Sequence, residues 1–179
     1  MTERKEWKQK NEIFNGKHYL YIRNTMTNKN KMQQVCELTI SYKPRVKAAD
    51  RYLIRSSEDA CKLLMQSAFH TDTLEYKEYV KLVLLNNANR VLGIATISEG
   101  GMNSTVVDIR LILQTALLAH ATAIILAHNH PSGEWMPSRH DDMITKKIKE
   151  ATGVVDIILH DHIIVTRDGY YSYKDEGKL

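Results

Sequence analysis

The sequence predicts an α/β protein: a mixed β-sheet with helices on its faces. Three observations carry that expectation. Segments with strand spacing and segments with helical spacing alternate in the order β-α-β-β-α-β-α-β-β-β. Two apolar runs, over 79–86 and 122–127, have the length and composition of interior strands. Two polar breaks, Asn86-Asn87-Ala88-Asn89 and Arg167-Asp168-Gly169, carry hairpin-turn residues.

Residues 1–33 are rich in Lys, Asn, Glu and Thr, with short apolar patches such as Tyr19-Leu20-Tyr21-Ile22. They predict a flexible or peripheral arm with room for one short strand. Residues 35–42 alternate as a strand does. Lys43-Pro44-Arg45-Val46 then reads as an extended linker, because Pro44 disfavours helix at Lys43. The expected division is a basic arm over 1–42 and a domain over 43–179. Ser57, followed by Glu58 and Asp59, looks like a helix start with acidic residues at the positive end of the dipole. Ala60, Leu63, Leu64 and Ala68 give that helix one apolar face. Residues 79–86 pair with 90–97 as a hairpin, and Gly100-Gly101 breaks the chain. A helix over 107–120 places Ile109, Ile112, Leu113, Ala116 and Leu117 at helical spacing. The interior strand 122–127 leads to a loop over 129–137. A helix follows over 138–151, stopped at Gly153. Residues 154–159, 163–166 and 170–173 read as three short strands. No internal repeat is visible.

Composition narrows the class. A chain of 179 residues, 43% hydrophobic, can bury a core as one domain with an extension. With 8 Gly and 3 Pro it is neither fibrous nor low-complexity. No apolar run reaches the roughly 18 residues of a membrane span, and the polar start Met1-Thr2-Glu3-Arg4-Lys5-Glu6-Trp7 has no signal-peptide core. Cys36 and Cys61 can pair only once, and a chain this size does not need that bridge, so a reducing cytoplasm is the default. The net charge is +4. Much of the excess lies in the first third, where a basic arm suits contact with nucleic-acid phosphates. Glu3, Glu6 and Glu12 interrupt it, however, and a solvated tail of mixed charge weighs more.

The chemistry concentrates in His128-Asn129-His130-Pro131-Ser132-Gly133, followed by Ser138 and Asp141. Two His one residue apart at a strand end point the same way. A carboxylate returning from the next helix completes three ligands and leaves a fourth position for water, the pattern of a catalytic zinc site. His-x-His alone means little, and the chain supplies its own control: His160-Asp161-His162 repeats the spacing without a downstream carboxylate and reads mainly as a strand end. Ser138-x-x-Asp141 alone would read as a capping box. An Asp141 that binds metal is not expected to serve also as a full reciprocal cap. A hydrolase further needs a base, and the upstream candidates are Glu75, Glu78 and Glu99. Glu78 enters the strand 79–85 and Glu99 sits beside the Gly pair. Spacing does not choose among the three.

His128-x-His130, seven residues, then Ser138-x-x-Asp141 resembles the signature of the JAMM (JAB/MPN) metalloproteases. More narrowly the chain resembles the RadC proteins, through 78–86, 110–116, 124–133, Pro137-Ser138 with Asp141, and Asp161-His162-Ile163-Ile164-Val165. The resemblance runs from about residue 43 to the C-terminus. It implies a JAB1/MPN fold, close to that of the cytidine deaminases, with one zinc. By that resemblance His128, His130 and Asp141 are the ligands and Ser138 lies near the developing oxyanion. Glu78 aligns with the family's general base, which takes a proton from the zinc-activated water and passes it to the leaving nitrogen of a peptide, isopeptide or other amide. Asp161 and His162 match a RadC-specific pair of unknown role, either orienting a ligand or satisfying local backbone groups.

Two departures stand out. RadC proteins usually carry an N-terminal helix-hairpin-helix region, which this length does not accommodate and which residues 1–33 do not resemble. The expectation of DNA contact therefore weakens. The family often has Gly-Thr at the place of Gly100-Gly101. Among competing functions, a deaminase wants a Pro-Cys-x-x-Cys pair that Cys36 and Cys61 do not form, and His-Asn-His as a tripeptide does not make a nuclease. The alternative from another class is a metal-binding interaction module without turnover, in DNA repair or mobile-element biology. The DNA-repair link comes through the family name alone.

Overall fold

The computed structural model describes residues 22–23, 37–38, 46–100 and 107–179, and the chain divides into two units, Met1–Arg45 and Val46–Leu179. In the first unit, β1 (Ile22–Arg23) pairs antiparallel with β2 (Glu37–Leu38). The rest of the basic arm, of the strand over 35–42 and of the linker, and Gly101, lie outside the described residues.

In the second unit, α1 (Ser57–Ser67) begins at the expected Ser57. Ser56 is the cap, its Oγ accepting from Asp59 N at 3.2 Å, while Asp59 Oδ2 accepts from Arg55 N at 2.9 Å. Strands β3 (Tyr79–Leu85) and β4 (Val91–Glu99) form the expected hairpin. Asn86 closes its turn by accepting from Ala88 N and Arg90 N, and Asn89 takes the left-handed φ of 55°. Helix α2 (Ile109–Leu118) is shorter than expected at both ends, because Asp108 caps its start and His120, at φ 54°, turns the chain out of it. Then follow β5 (Ala123–Asn129), α3 (Arg139–Gly153), β6 (Ile158–Val165) and β7 (Tyr170–Ser172).

Among the described residues the strands form a mixed five-stranded sheet in the order β4-β3-β5-β6-β7. Only β5 and β6 run parallel, with α3 as their crossover. Central β5 is buried along its whole length. Its Ile125 and Ala127 pack with Val83, Leu85, Ala60 and Leu64 on the α1 face. Its Ile124 and Leu126 pack with Leu82, Ile112, Ala116 and Ile148 on the face of α2 and α3. The period-two alternation of one strand thus feeds two helical layers. This is the mixed α/β architecture expected of a JAB domain. Among the described residues no helix is long and apolar enough to cross a membrane.

The structure differs from the sequence expectation at β6. Two strands were expected, over 154–159 and 163–166, with His160-Asp161-His162 as an end. Instead Ile158–Val165 is one strand with a bulge: Ile124 pairs with Leu159, and the next residue, Ile125, pairs with Asp161. Leu159 faces α2 and α3, whereas Ile163 and Val165 face α1. One extra residue reverses which positions point inward, so the apolar alternation breaks where the chain continues. The turn before β6 is made by Asp156 at φ 56°.

Candidate metal centre

The alternation in β5 places His128 on the α3 side of the sheet, next after Ile124 and Leu126. His130 N continues the ladder by donating to Val165 O at 3.1 Å, so His130 projects from the same face one step beyond the strand. The chain then turns at once: Gly133 N donates to His130 O at 3.1 Å, and Gly133 holds φ 80°, a conformation natural to glycine. That turn allows the loop to return to Ser138, which caps α3 and presents Asp141 in its first turn.

Three donors converge. His128 Nε2 lies 2.9 Å from His130 Nε2 and 3.2 Å from Asp141 Oδ1, and His130 Nε2 lies 3.6 Å from Asp141 Oδ2. Among the described residues this is the group of His, Cys, Asp or Glu placed to hold a metal ion, its ligand atoms all within 4.8 Å of one another. His130 Nδ1 donates to Glu134 O at 2.6 Å. A carbonyl only accepts, so in the neutral ring the Nε2 lone pair is the one facing the cluster. Two imidazole nitrogens and a carboxylate form a donor set suited to a divalent transition metal, zinc among them. Burial alone would raise the Asp141 carboxyl, but the His128 and His130 imidazoles beside it outweigh burial and hold the group far below the usual carboxylate range. The Asp141 carboxylate in turn raises His130.

Asp141 combines a complete cap with a place in the cluster. The capping box is complete, Ser138 N donating to Asp141 Oδ2 at 2.7 Å and Asp141 N to Ser138 Oγ at 3.2 Å, while Asp141 Oδ1 faces His128. A carboxylate has two oxygens: here Oδ1 faces His128, while Oδ2 takes the cap bonds and also lies 3.6 Å from His130 Nε2. The Ser138 hydroxyl also donates to Asp141 Oδ2, at 2.6 Å.

The three upstream glutamates part company in space. Glu75 is exposed and paired with Arg167 at 3.1 Å. Glu99 is exposed and paired with Lys77 at 2.8 Å. Glu78 is half-buried, and the charges it senses are those of His128, His130, Asp141 and His140. Burial pushes its carboxyl above the ordinary range, against the pull of the two imidazoles.

His160-Asp161-His162 is not a strand end but lies within β6. Buried Asp161 accepts from Ser172 Oγ at 2.6 Å, from Lys174 N at 3.1 Å and from His162 N at 2.7 Å, tying β6 to the end of β7 and the residues that follow it. His162 is fully buried. Its Nε2 lies 2.9 Å from His128 Nδ1, its Nδ1 2.5 Å from Thr145 Oγ1, and its ring stacks on Tyr173 at 4.8 Å. Burial pushes it well below the usual imidazole range.

Asn129 was missed by sequence reasoning. Fully buried, it points opposite to its two His neighbours. Its Oδ1 accepts from Tyr79 N at 2.8 Å, and its Nδ2 donates to Leu74 O at 2.6 Å and to Lys77 O at 2.9 Å. It thereby fastens the segment that carries Glu78 to the end of β5. The available signal was a polar residue continuing an apolar strand, on the face the His residues leave.

Fold and site together define a JAB-type α/β domain with a candidate metal centre at the end of its central strand. The model of the RadC-like JAB domain family matches residues 54–178, and the chain belongs to that family. It is similar to UPF0758 proteins, sharing 44% identity over 124 residues with one from Flavobacterium johnsoniae (69% of this chain, 52% of the relative). Identity is 40% over 126 residues with one from Streptococcus gordonii (70% and 54%), and 40% over 132 residues with one from Desulforamulus reducens (74% and 56%). The chain spans about half the length of the curated relatives it matches.

Proposed function

We propose that this chain is a zinc-dependent hydrolase of amide bonds in a peptide or protein, with His128, His130 and Asp141 as ligands, Glu78 as general base and Ser138 as a hydroxyl donor. The observation that carries the reading is the convergence of three donor groups, with a half-buried carboxylate sensing all of them. Zinc held there supplies a Lewis acid for a carbonyl oxygen and a water acidified to a pKa of about 7. Glu78, its carboxyl raised by burial toward the working pH, takes the proton of the attacking water and returns it to the leaving nitrogen. Ser138 has a single hydroxyl proton, now given to Asp141 Oδ2. Donation to an oxyanion requires that bond to open. The reading carries with it a cytoplasmic protein, with any nucleic-acid contact made through the basic arm.

A second reading is favoured by that same Ser138 bond: a metal-binding module without turnover, in which the hydroxyl stays committed to the cap. Metal analysis joined to a peptide-library cleavage screen separates the two. The enzyme reading expects zinc in the wild type, none in His128→Ala, and zinc without cleavage in Glu78→Gln. A Glu78→Gln protein that cleaves as well as wild type overturns the base, and wild type that holds zinc and cleaves no library member supports the module.

A further inference from the structure

We infer that His162 and Thr145 form a buried relay that positions His128, holding its Nε2 lone pair toward the metal. The inference rests on the metal-centre reading and adds to it residues outside the ligand set.

The proton positions follow from the partners. Thr145 Oγ1 lies 2.6 Å from Asp141 O. A carbonyl only accepts, so the single hydroxyl proton of Thr145 goes there. At 2.5 Å from His162 Nδ1, Thr145 Oγ1 must then accept, and His162 carries its proton on Nδ1. That leaves His162 Nε2 as an acceptor 2.9 Å from His128 Nδ1, which therefore carries the N–H. A neutral His128 with its proton on Nδ1 has its lone pair on Nε2, the atom facing His130 and Asp141.

An imidazole can carry its proton on either nitrogen. The opposite tautomer would present an N–H to the metal and could not ligate through that atom. The relay removes this option and sets the ring angle, as a partner behind a ligating imidazole does. It also joins two ligands, because it ends on the backbone carbonyl of Asp141. Two features of the fold hold it in place. The β6 bulge turns His162 to the face of His128, and the ring is held from the side by Tyr173, stacked at an interplanar angle of 10° and itself donating to Asp142 at 2.9 Å.

The test combines histidine-ring ¹H–¹⁵N long-range correlation spectra of the wild type, metal-free and with zinc, with zinc affinity measured by competition against a chromophoric chelator. The spectra should show His162 and His128 both protonated on Nδ1 in the metal-free protein. His162→Phe keeps the ring and its stack but has no acceptor, and should bind zinc 10–100-fold more weakly. His162→Gln can accept from His128 and donate to Thr145, and should return to within about tenfold of wild type. Circular dichroism checks that both variants fold; if His162→Phe does not, the wild-type spectra decide. A His162 protonated on Nε2, or a folded His162→Phe with wild-type affinity, overturns the relay while the metal centre stands. A wild type that takes up no zinc overturns the metal centre, and the relay's positioning role with it.

Discussion

One hydroxyl at Ser138 serves two groups of Asp141, accepting from its N and donating to its Oδ2. Ser138→Ala removes the cap and the donor together. It should cost about 1 kcal/mol of stability through α3 and lower kcat about 100-fold, with zinc retained. Chemical denaturation and steady-state kinetics read the two effects separately, and lost stability with unchanged kcat would reduce Ser138 to a cap. The His130–Asp141 pair makes a prediction about pH in the metal-free protein. His130 is raised by Asp141, so its contribution is fully present below the ordinary value of about 6.5 and is lost as pH rises through the raised value. Asp141 is depressed, so its contribution is present above about 3.9 and is lost only as pH falls toward its depressed value. The pair is therefore worth most between about pH 4 and 6.5. The Tm difference between wild type and His130→Gln should be larger at pH 6 than at pH 9. A difference that grows with pH would contradict the pairing.

Elements bring these residues together by their ends and irregularities. β5 delivers His128 on the α3 face and Asn129 on the other, and Asn129 anchors the backbone at Leu74, Lys77 and Tyr79. Asn129→Ala leaves buried polar groups without partners, at about 3 kcal/mol in all. It should also release Glu78 from its place while leaving the three ligands intact. The expected signature is lower stability and lower kcat at unchanged zinc affinity; a loss of zinc affinity as large as the loss of kcat would place the damage at the ligands. In β6 the bulge does comparable work, since without it Leu159 and His162 would not share a face. The helix limits, by contrast, were nearly legible from sequence. Ser138, Asp108 and the acidic turn of α1 are local capping signals, and the observed starts lie within two residues of the expected ones.

For the whole molecule, the proposed ligands lie on or next to β5 and α3, and the proposed relay adds β6, so an ion held there would tie the crossover together. An ion that binds the folded chain and not the unfolded one stabilises by about 2.7 kcal/mol at a free concentration 100 times Kd. For a domain of this size that raises Tm by about 10 °C. The rise should be larger at pH 8 than at pH 6, because protons compete for the donors. It should vanish with a chelator and be absent in His128→Ala. Thermal unfolding with and without zinc checks it, and an equal rise in His128→Ala would place the ion elsewhere.

The sequence by itself determined the class of sheet, the order of elements in the domain as far as α3, and the grouping of His128, His130 and Asp141. Each depends on neighbours close in the chain: alternation, a turn, a cap at fixed offset. Spacing left three glutamates open and the family resemblance pointed to Glu78; the tertiary structure sets Glu78 beside the cluster and pairs Glu75 and Glu99 elsewhere. It also decided that His160-Asp161-His162 is a bulged strand with one member behind a ligand, and that Asn129 is an anchor. These outcomes depend on strand register between segments far apart in the chain. A single inserted residue changes that register, and a local hydrophobic pattern cannot distinguish it from a strand end.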